Sequence, residues 1–516
     1  MSATETKKPG GVGRREARAL QEKKEKRKIR VTTISIVAVL ALLFIGALFL
    51  NSKITRRNLV AITVGSVDFT AAEYDYFFFS SYFNYSNYIN QQMGESAESM
   101  LPKRGTPLAS QVHDYETGET WADFFKDMAL EQMNEIVLYY EEATRNGWEI
   151  PEEDRGKTDE EIANMKSTAV MFGYSSVDKF LQEYYGPSIN EKSFRKLAEF
   201  INFASLYSKY KFDSFPYSNE DLETYYDENK DELDVFTFRY MSITPESVVE
   251  SDFESAEEYE EALAAAQSDA ETKAAEIAAG IISEEDFIAA AREYDADRYP
   301  EDDSTLMEEY SGETLYGDYK AWLAEAEREQ GDVTSINSES GIYVVYYISR
   351  DNNTYLMTEM RQILINRETI DVEEYEHEDD AYNEALAVME SEAKERADSV
   401  LAQFIEGGAT EEKLIELMEE NSDDTTEGGL YTDIYKKMMV PEIDSWLFDP
   451  ARQIGDYESI RTESYGYHLV YFMGFGKRYC DFTSDSRMRE ADYAEWKDSL
   501  GTPTVTEHWA MRLTRQ

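Results

Sequence analysis

A chain of 516 residues holds a single cysteine, Cys480, and four histidines. One thiol forms no disulfide within the chain, so the fold must be stabilised by its apolar cores. The histidines His113, His377, His468 and His508 have no metal-ligand spacing among themselves. Acidic runs such as EEYEHEDD (373–380) and YPEDDS (299–304) do not follow a calcium loop, so they read as solvated charge, and no metal or cofactor is expected. Gly-x-Ser-x-Gly, a phosphate-cradling glycine loop and His-Glu-x-x-His are all missing, which argues against hydrolases and nucleotide enzymes. Basic residues are scarce: 51 Lys or Arg stand against 105 Asp or Glu. Eleven of the basic residues, with only four Glu, crowd into residues 1–30, so the net charge of −54 becomes −61 over the rest. Such a body argues against binding nucleic acid or anionic lipid and fits a self-repelling, soluble surface.

What is present begins with VTTISIVAVLALLFIGALFL, residues 31–50, 20 residues without a charge. As a helix this run reaches about 30 Å, the hydrocarbon thickness of a bilayer, and is expected to span a membrane. The cationic tail before it places the N-terminus in the cytoplasm and the acidic body outside. A cleavable signal peptide is the alternative, but NSKITRRNLV after the run lacks a small-x-small pattern, which favours an uncleaved anchor.

Residues 57–233 read as a short strand followed by helices. Alternating apolar residues end at Gly65, and Thr70 is placed to cap a helix that begins AAEYDYFFF. WADFFKDMALEQMNEIVLYYEEA and SFRKLAEFINFASLYSKYKF repeat apolar residues at spacings of three and four, the pattern of amphipathic helices. Tyr and Phe are dense here; they read as helix–helix core, with a groove for extended peptide as the sharper alternative. SNEDLETYYDENKDEL (218–233) opens on a capping signal at Ser218 and leads into the strand-like DVFTFRYMSI.

From there the chain repeats itself. WLAEAEREQGDVTSI (322–336) and WLFDPARQIGDYESI (446–460) share the Trp-Leu pair, the Gly-Asp pair and the closing Ser-Ile without a gap. SGIYVVYYISR faces YGYHLVYFMGF just beyond, and FRYMSI (238–243) parallels MRQILI (360–365) upstream. Two copies of one strand-helix-strand unit are the simplest account.

In the second copy MRQILI, EAKERADSVLAQFIEGG (392–408), NSDDTTEGGLY (421–431), MVPEIDSWLF (439–448) and IGDYESIRTESYGYHLVYF (454–472) follow in order. Together they resemble the parvulin family of peptidyl-prolyl cis-trans isomerases. The N-terminal segment resembles the chaperone part of extracytoplasmic foldases of the PrsA and SurA type, in which a helical peptide-binding domain carries parvulin modules. After the basic cytoplasmic tail (1–30) and the transmembrane helix (31–50) read above, the resemblance implies an α+β multidomain chain that opens on a mostly helical chaperone-like domain (57–233). A degenerate parvulin-like domain (234–351), a parvulin-like isomerase domain (352–478) and a C-terminal extension (479–516) follow. Each parvulin-like domain is expected to be a small antiparallel sheet surrounded by helices.

Isomerisation of an X-Pro bond faces a barrier of about 20 kcal/mol and breaks no bond to a heavy atom, so it requires no metal or cofactor. The enzyme binds the ring in an apolar pocket and favours the twisted amide over both planar forms. By resemblance the pocket uses Leu430, Met439, Ile443 and Phe448. The polar floor uses His468 and Gln362, with Asp423 or Asp424 where the family carries Cys or Asp. Gln362 stands where the family usually has histidine, Ile443 stands where it has an aromatic residue, and the Gly-Gly turn reads one residue short. In the first copy Tyr240 and Tyr343 replace both histidine positions, so that copy is expected to serve as a spacer or client surface. Two functions follow: a membrane-anchored isomerase and chaperone acting on unfolded or partly folded exported polypeptides, or a non-catalytic holdase or interaction scaffold.

Overall fold

The computed structural model describes residues 13–50, 52–315, 317–338, 341–367 and 380–514. Among these, fifteen α-helices and three small antiparallel sheets make an α+β chain. It divides into two compact units, residues 1–215 with 492–516, and residues 216–491. His377 and residues 373–379 of the acidic run lie outside the described residues.

The first unit opens with α1 (Arg14–Leu50), one 37-residue helix that joins the basic tail to the apolar run. This corrects the transmembrane helix expected at residues 31–50: no described helix is long and apolar enough to cross a membrane. The arrangement of a single N-terminal membrane span is withdrawn with it.

After α2 (Lys53–Arg56), apolar alternation in β1 (Val60–Val64) and β2 (Val67–Thr70) forms a hairpin with Ile62, Val64 and Phe69 inside. Thr70 caps α3 (Ala71–Met93) reciprocally: its hydroxyl accepts the Glu73 amide, and the Glu73 carboxylate accepts the Thr70 amide at 2.8 Å. α4 (Trp121–Arg145) and α7 (Glu191–Asp213) pack with α3, and α5 (Lys157–Met171) and α6 (Val177–Tyr184) pack against α7. Tyr74, Phe77, Phe78 and Phe125 are fully buried with Met133 and Val137, so these rings of the aromatic stripe are core.

The second unit starts at α8 (Asn219–Leu233), capped by Ser218. It then runs β3 (Val235–Ile243), α9 (Ala256–Gly280), α10 (Glu284–Tyr294), β4 (Leu306–Ser311), α11 (Gly317–Leu323), β5 (Val333–Ser338) and β6 (Gly341–Asp351). The same sequence of element types follows: β7 (Leu356–Asn366), α12 (Asp380–Glu406), α13 (Glu411–Asn421), β8 (Leu430–Ile434), α14 (Pro441–Leu447), β9 (Tyr457–Thr462) and β10 (Gly466–Arg478). The strand orders are β4-β3-β6-β5 and β8-β7-β10-β9, so in each sheet the first and last strands of the copy pair at the centre. Helix α15 (Tyr479–Ser499) contains the division at 491/492. Within the first unit β11 (Val505–Glu507) adds to β1, with Glu507 opposite Ile62, and Met511 joins the aromatic core.

Strand periodicity gives each sheet two buried faces. Ile363, Ile365 and Leu469 face α12 and α13, whereas Met360, Val470 and Phe472 face α14. In the first copy Met241, Ile243 and Val344 face α9 and α10, and Phe236, Phe238 and Val345 face α11. The shared Trp-Leu and Gly-Asp pairs form matching corners. Arg328 lies 3.9 Å over the Trp322 ring and donates to that residue's carbonyl at 3.1 Å; Arg452 lies 3.7 Å over Trp446 and donates likewise at 2.9 Å. The amides of Gly331 and Gly455, at φ +96° and +91°, donate to the carbonyls of Tyr347 and Phe472. These left-handed positions favour glycine in both copies.

The arginine of each first strand repeats a second anchor: Arg239 Nε meets Glu284 at 2.7 Å and Arg361 Nε meets Glu411 at 2.8 Å. The faces toward α11 and α14 nevertheless differ. In the first copy the rings of Tyr240, Tyr319 and Tyr343 contact one another at 5.7–6.4 Å, with Tyr319 and Tyr343 buried. They occupy the positions that Gln362, Ile443 and His468 hold in the second. Arg328→Ala and Arg452→Ala are each expected to destabilise their own copy by about 1–3 kcal/mol through loss of the cation–π contact and the carbonyl bond. Hydrogen–deuterium exchange checks this: amides of β5 and β6 should exchange faster in the first variant only, and those of β9 and β10 in the second only.

Candidate functional site

The central strands of the second copy bring its polar residues together. His468 lies opposite Leu364 and Gln362 opposite Val470, so the histidine and the glutamine are diagonal neighbours on one face. His468 Nδ1 lies 2.9 Å from Gln362 Oε1, and Gln362 Nε2 donates to Asp424 Oδ2 at 2.7 Å. The carboxylate fixes the directions of these bonds. It accepts only from the amide nitrogen, which leaves the amide oxygen for the imidazole, so His468 carries its proton on Nδ1. The other ring nitrogen, Nε2, then accepts from the Thr462 hydroxyl of β9 at 3.1 Å.

Asp424 reaches this floor from the loop that joins α13 to β8. Ser422 Oγ accepts the amides of Asp424 and Leu364, both at 3.1 Å, and ties the loop to β7. Arg361, held by Glu411, donates to the Gly428 carbonyl and clamps the loop's far end. Gly428 and Gly429 both have positive φ, and a Cβ on Gly429 would fall 2.4 Å from the Gln362 carbonyl oxygen. Glycine is therefore required where the turn passes against β7. Asp424 also accepts the Thr426 amide at 2.9 Å and the Tyr431 hydroxyl at 2.8 Å. Burial alone raises its carboxyl, but the Thr426, Gln362 and Tyr431 donors outweigh burial and hold it below the usual range.

Beside this chain is a pocket of about 360 Å³, walled by Tyr431, Met438, Met439, Val440, Ile443 and Tyr465. Its polar side includes Gln362, His468 and Asp424. Asp423 borders the pocket too, but its carboxylate accepts the Asn366 amide at 2.8 Å and lies 3.4 Å from Arg396. Of the two aspartates read as alternatives, Asp424 joins the chain to His468. Met439 and Ile443 line the pocket; Leu430 and Phe448 do not. Leu430 is exposed, because the double-glycine turn enters β8 with Tyr431 on the pocket side. Phe448 packs edge-on against Tyr355 at 5.6 Å. Tyr431, Met438, Val440, Thr462 and Tyr465 were not read from the sequence. Met438 and Val440 flank Met439 directly, and Thr462 becomes visible once β9 is set in register with β10.

A larger cavity, about 670 Å³, lies in the first unit among Tyr85, Met100, Leu101, His113 and Trp121. His113 is paired there with Glu119 at 2.9 Å and stacks on Phe124, so its ring is a packed, partnered group. The smaller pocket is the one that adjoins a continuous chain of polar side chains.

Burial pushes His468 down to about 4, against the smaller opposing pull of Asp424 and Glu442. The unfolded chain takes up this proton as pH falls through about 6.5, and the folded chain only near 4. The unfolded state therefore binds more protons in that window, and the contribution of the neutral ring is full above pH 6.5 and lost on acidification toward 4. Nitrogen-15 spectra of the labelled imidazole should keep the neutral Nδ1–H pattern at pH 5.5 and titrate near pH 4. A midpoint near 6.5 would mean a solvated ring.

Residues 380–474 match the rotamase family's PPIC-type PPIASE domain. The match covers α12 to β10 and begins after β7, the strand that carries Gln362. No curated protein matches the chain. Asp424, Tyr431, Met439, Ile443 and His468 of the pocket lie within the matched region, and the domain makes the chain a peptidyl-prolyl cis-trans isomerase, or rotamase, of the parvulin type.

Proposed function

We propose that the chain is an extracytoplasmic folding factor that accelerates proline-limited folding of exported polypeptides and holds partly folded clients through its first unit. The observation that carries the catalytic part is the unbroken chain Thr462–His468–Gln362–Asp424 beside the apolar pocket. In this reading the proline ring sits against Met439 and Ile443, and the preceding carbonyl lies over the polar floor. A planar amide places resonance charge on its oxygen; a twisted amide loses it. An ionised Asp424 under that oxygen raises the planar states more than the twisted one, which lowers the barrier. His468 exchanges no proton in this scheme, since Gln362 and Thr462 occupy both ring nitrogens. It acts as the prop that orients Gln362.

Client holding is supported by the 670 Å³ cavity with Tyr85, Met100, Leu101 and Trp121 on its wall. The extracytoplasmic placement is supported by the likeness of the helical segment ending at residue 233 to PrsA- and SurA-type foldases. A buried lone Cys480, which makes folding independent of disulfide formation, is compatible with that placement. The scaffold reading is favoured for the first copy alone, where Tyr240, Tyr319 and Tyr343 pack together at the site's position.

The full body should accelerate isomerisation of an X-Pro tetrapeptide. Asp424→Asn and Met439→Ala should each lower kcat/KM about tenfold or more, the loss expected for one charge-assisted or pocket contact. Tyr343→Ala should leave the rate unchanged. Turnover no faster than background in the unsubstituted protein sinks the assigned site.

A further inference from the structure

Asp424 is a part-buried carboxylate with no Lys or Arg within ion-pair distance among the described residues. Neutral donors hold its charge: the Thr426 amide on Oδ1, Gln362 Nε2 and the Tyr431 hydroxyl together on Oδ2, and the Thr426 hydroxyl as a smaller contributor. A charge withdrawn from water without a cation depends on each such donor. The Tyr431 donor is itself aligned. Its oxygen lies 2.9 Å from Thr426 Oγ1, which donates to it while its own proton goes to Asp424. Burial raises the Tyr431 phenol, with Asp424 adding to the rise against the Thr426 bond, so the group keeps its proton. Its ring meanwhile forms part of the pocket wall, whereas Leu430 next to it faces solvent.

Resting on the site reading above, we propose that Tyr431 is the positioning residue of the isomerase: its hydroxyl holds Asp424 at the floor while its ring closes the wall against the proline. One side chain thereby couples ring binding to the placement of the charge under the amide. A tyrosine that merely filled space would be replaceable by phenylalanine without effect on the carboxylate.

The decisive variant is Tyr431→Phe in the full chain, which keeps the ring and removes the donor. kcat for an X-Pro peptide should fall about tenfold with KM within about twofold, because the wall survives and the charge loses one of its holders. The carbon-13 titration midpoint of the Asp424 carboxyl should rise by roughly one pH unit, and the acid limb of kcat/KM should move with it. Tyr431→Leu, which loses the wall as well, should raise KM in addition. An unmoved midpoint and an unchanged kcat in Tyr431→Phe overturn the proposal. Should phenylalanine at 431 unfold the sheet, replacement of tyrosine by 3-fluorotyrosine is read by the same titration: an Asp424 midpoint lowered by the more acidic donor supports the role of Tyr431, and an unchanged one overturns it. The titration needs no turnover. An inactive unsubstituted protein therefore sinks the assigned site, while an active one whose Asp424 ignores Tyr431→Phe sinks only the role of Tyr431.

Discussion

The pairing of β7 with β10 is the constraint on which the second copy depends. The two strands lie about a hundred residues apart in sequence, yet they form the centre of the sheet, with Gln362 opposite Val470 and His468 opposite Leu364. A slip of one residue would turn His468 toward α12 and α13 and send Leu469 into the polar floor. The register is pinned from both sides, by Ile363, Ile365 and Leu469 in one core and Met360, Val470 and Phe472 in the other. The loop-closure entropy of so distant a contact is offset only when the helices between the strands pack on the finished sheet. Formation of the hydrogen-bonded floor and formation of the core are one event.

β3 and β6 obey the same rule in the first copy, and the Arg–Trp corners and Arg–Glu anchors recur at matching places. The common frame lets the difference at the site be assigned to few side chains. Tyrosines at 240, 319 and 343 convert a face that could admit a ligand into an interior. Both solutions satisfy the packing requirement, so the sheet tolerates either.

Much of this was legible in the sequence because it rests on local spacing. The Trp-Leu and Gly-Asp pairs mark the repeat. Gln362, His468 and Asp424 were named from a family resemblance and meet within hydrogen-bond distance. What escaped depends on geometry that residue types do not encode. Leu430 and Tyr431 are neighbours of opposite parity, and only the two left-handed glycines before them decide which one faces the pocket. The family resemblance puts Phe448 in the wall, but Tyr355 offers it an edge-on partner elsewhere. The run at 31–50 reads as a span from its uncharged 20-residue length and the basic tail before it. It forms the C-terminal part of a longer helix, and no described helix is long and apolar enough to cross a membrane. Arg361 and Arg452 were invisible as anchors, since an arginine in an acidic chain reads as surface until its partners are placed.

The tyrosine cluster of the first copy has a consequence for the relation between durability and work. Interiors gain from dispersion contacts, and an open pocket forgoes them on one side. A copy whose ligand face is filled with rings carries no such deficit, while its sibling must leave that face unfinished for a substrate to complete. The pair thus keeps the same architecture in two occupations, one as masonry and one as a working surface. Directed evolution that sought a second active centre would have to excavate three aromatic rings and then find new support for the sheet they hold.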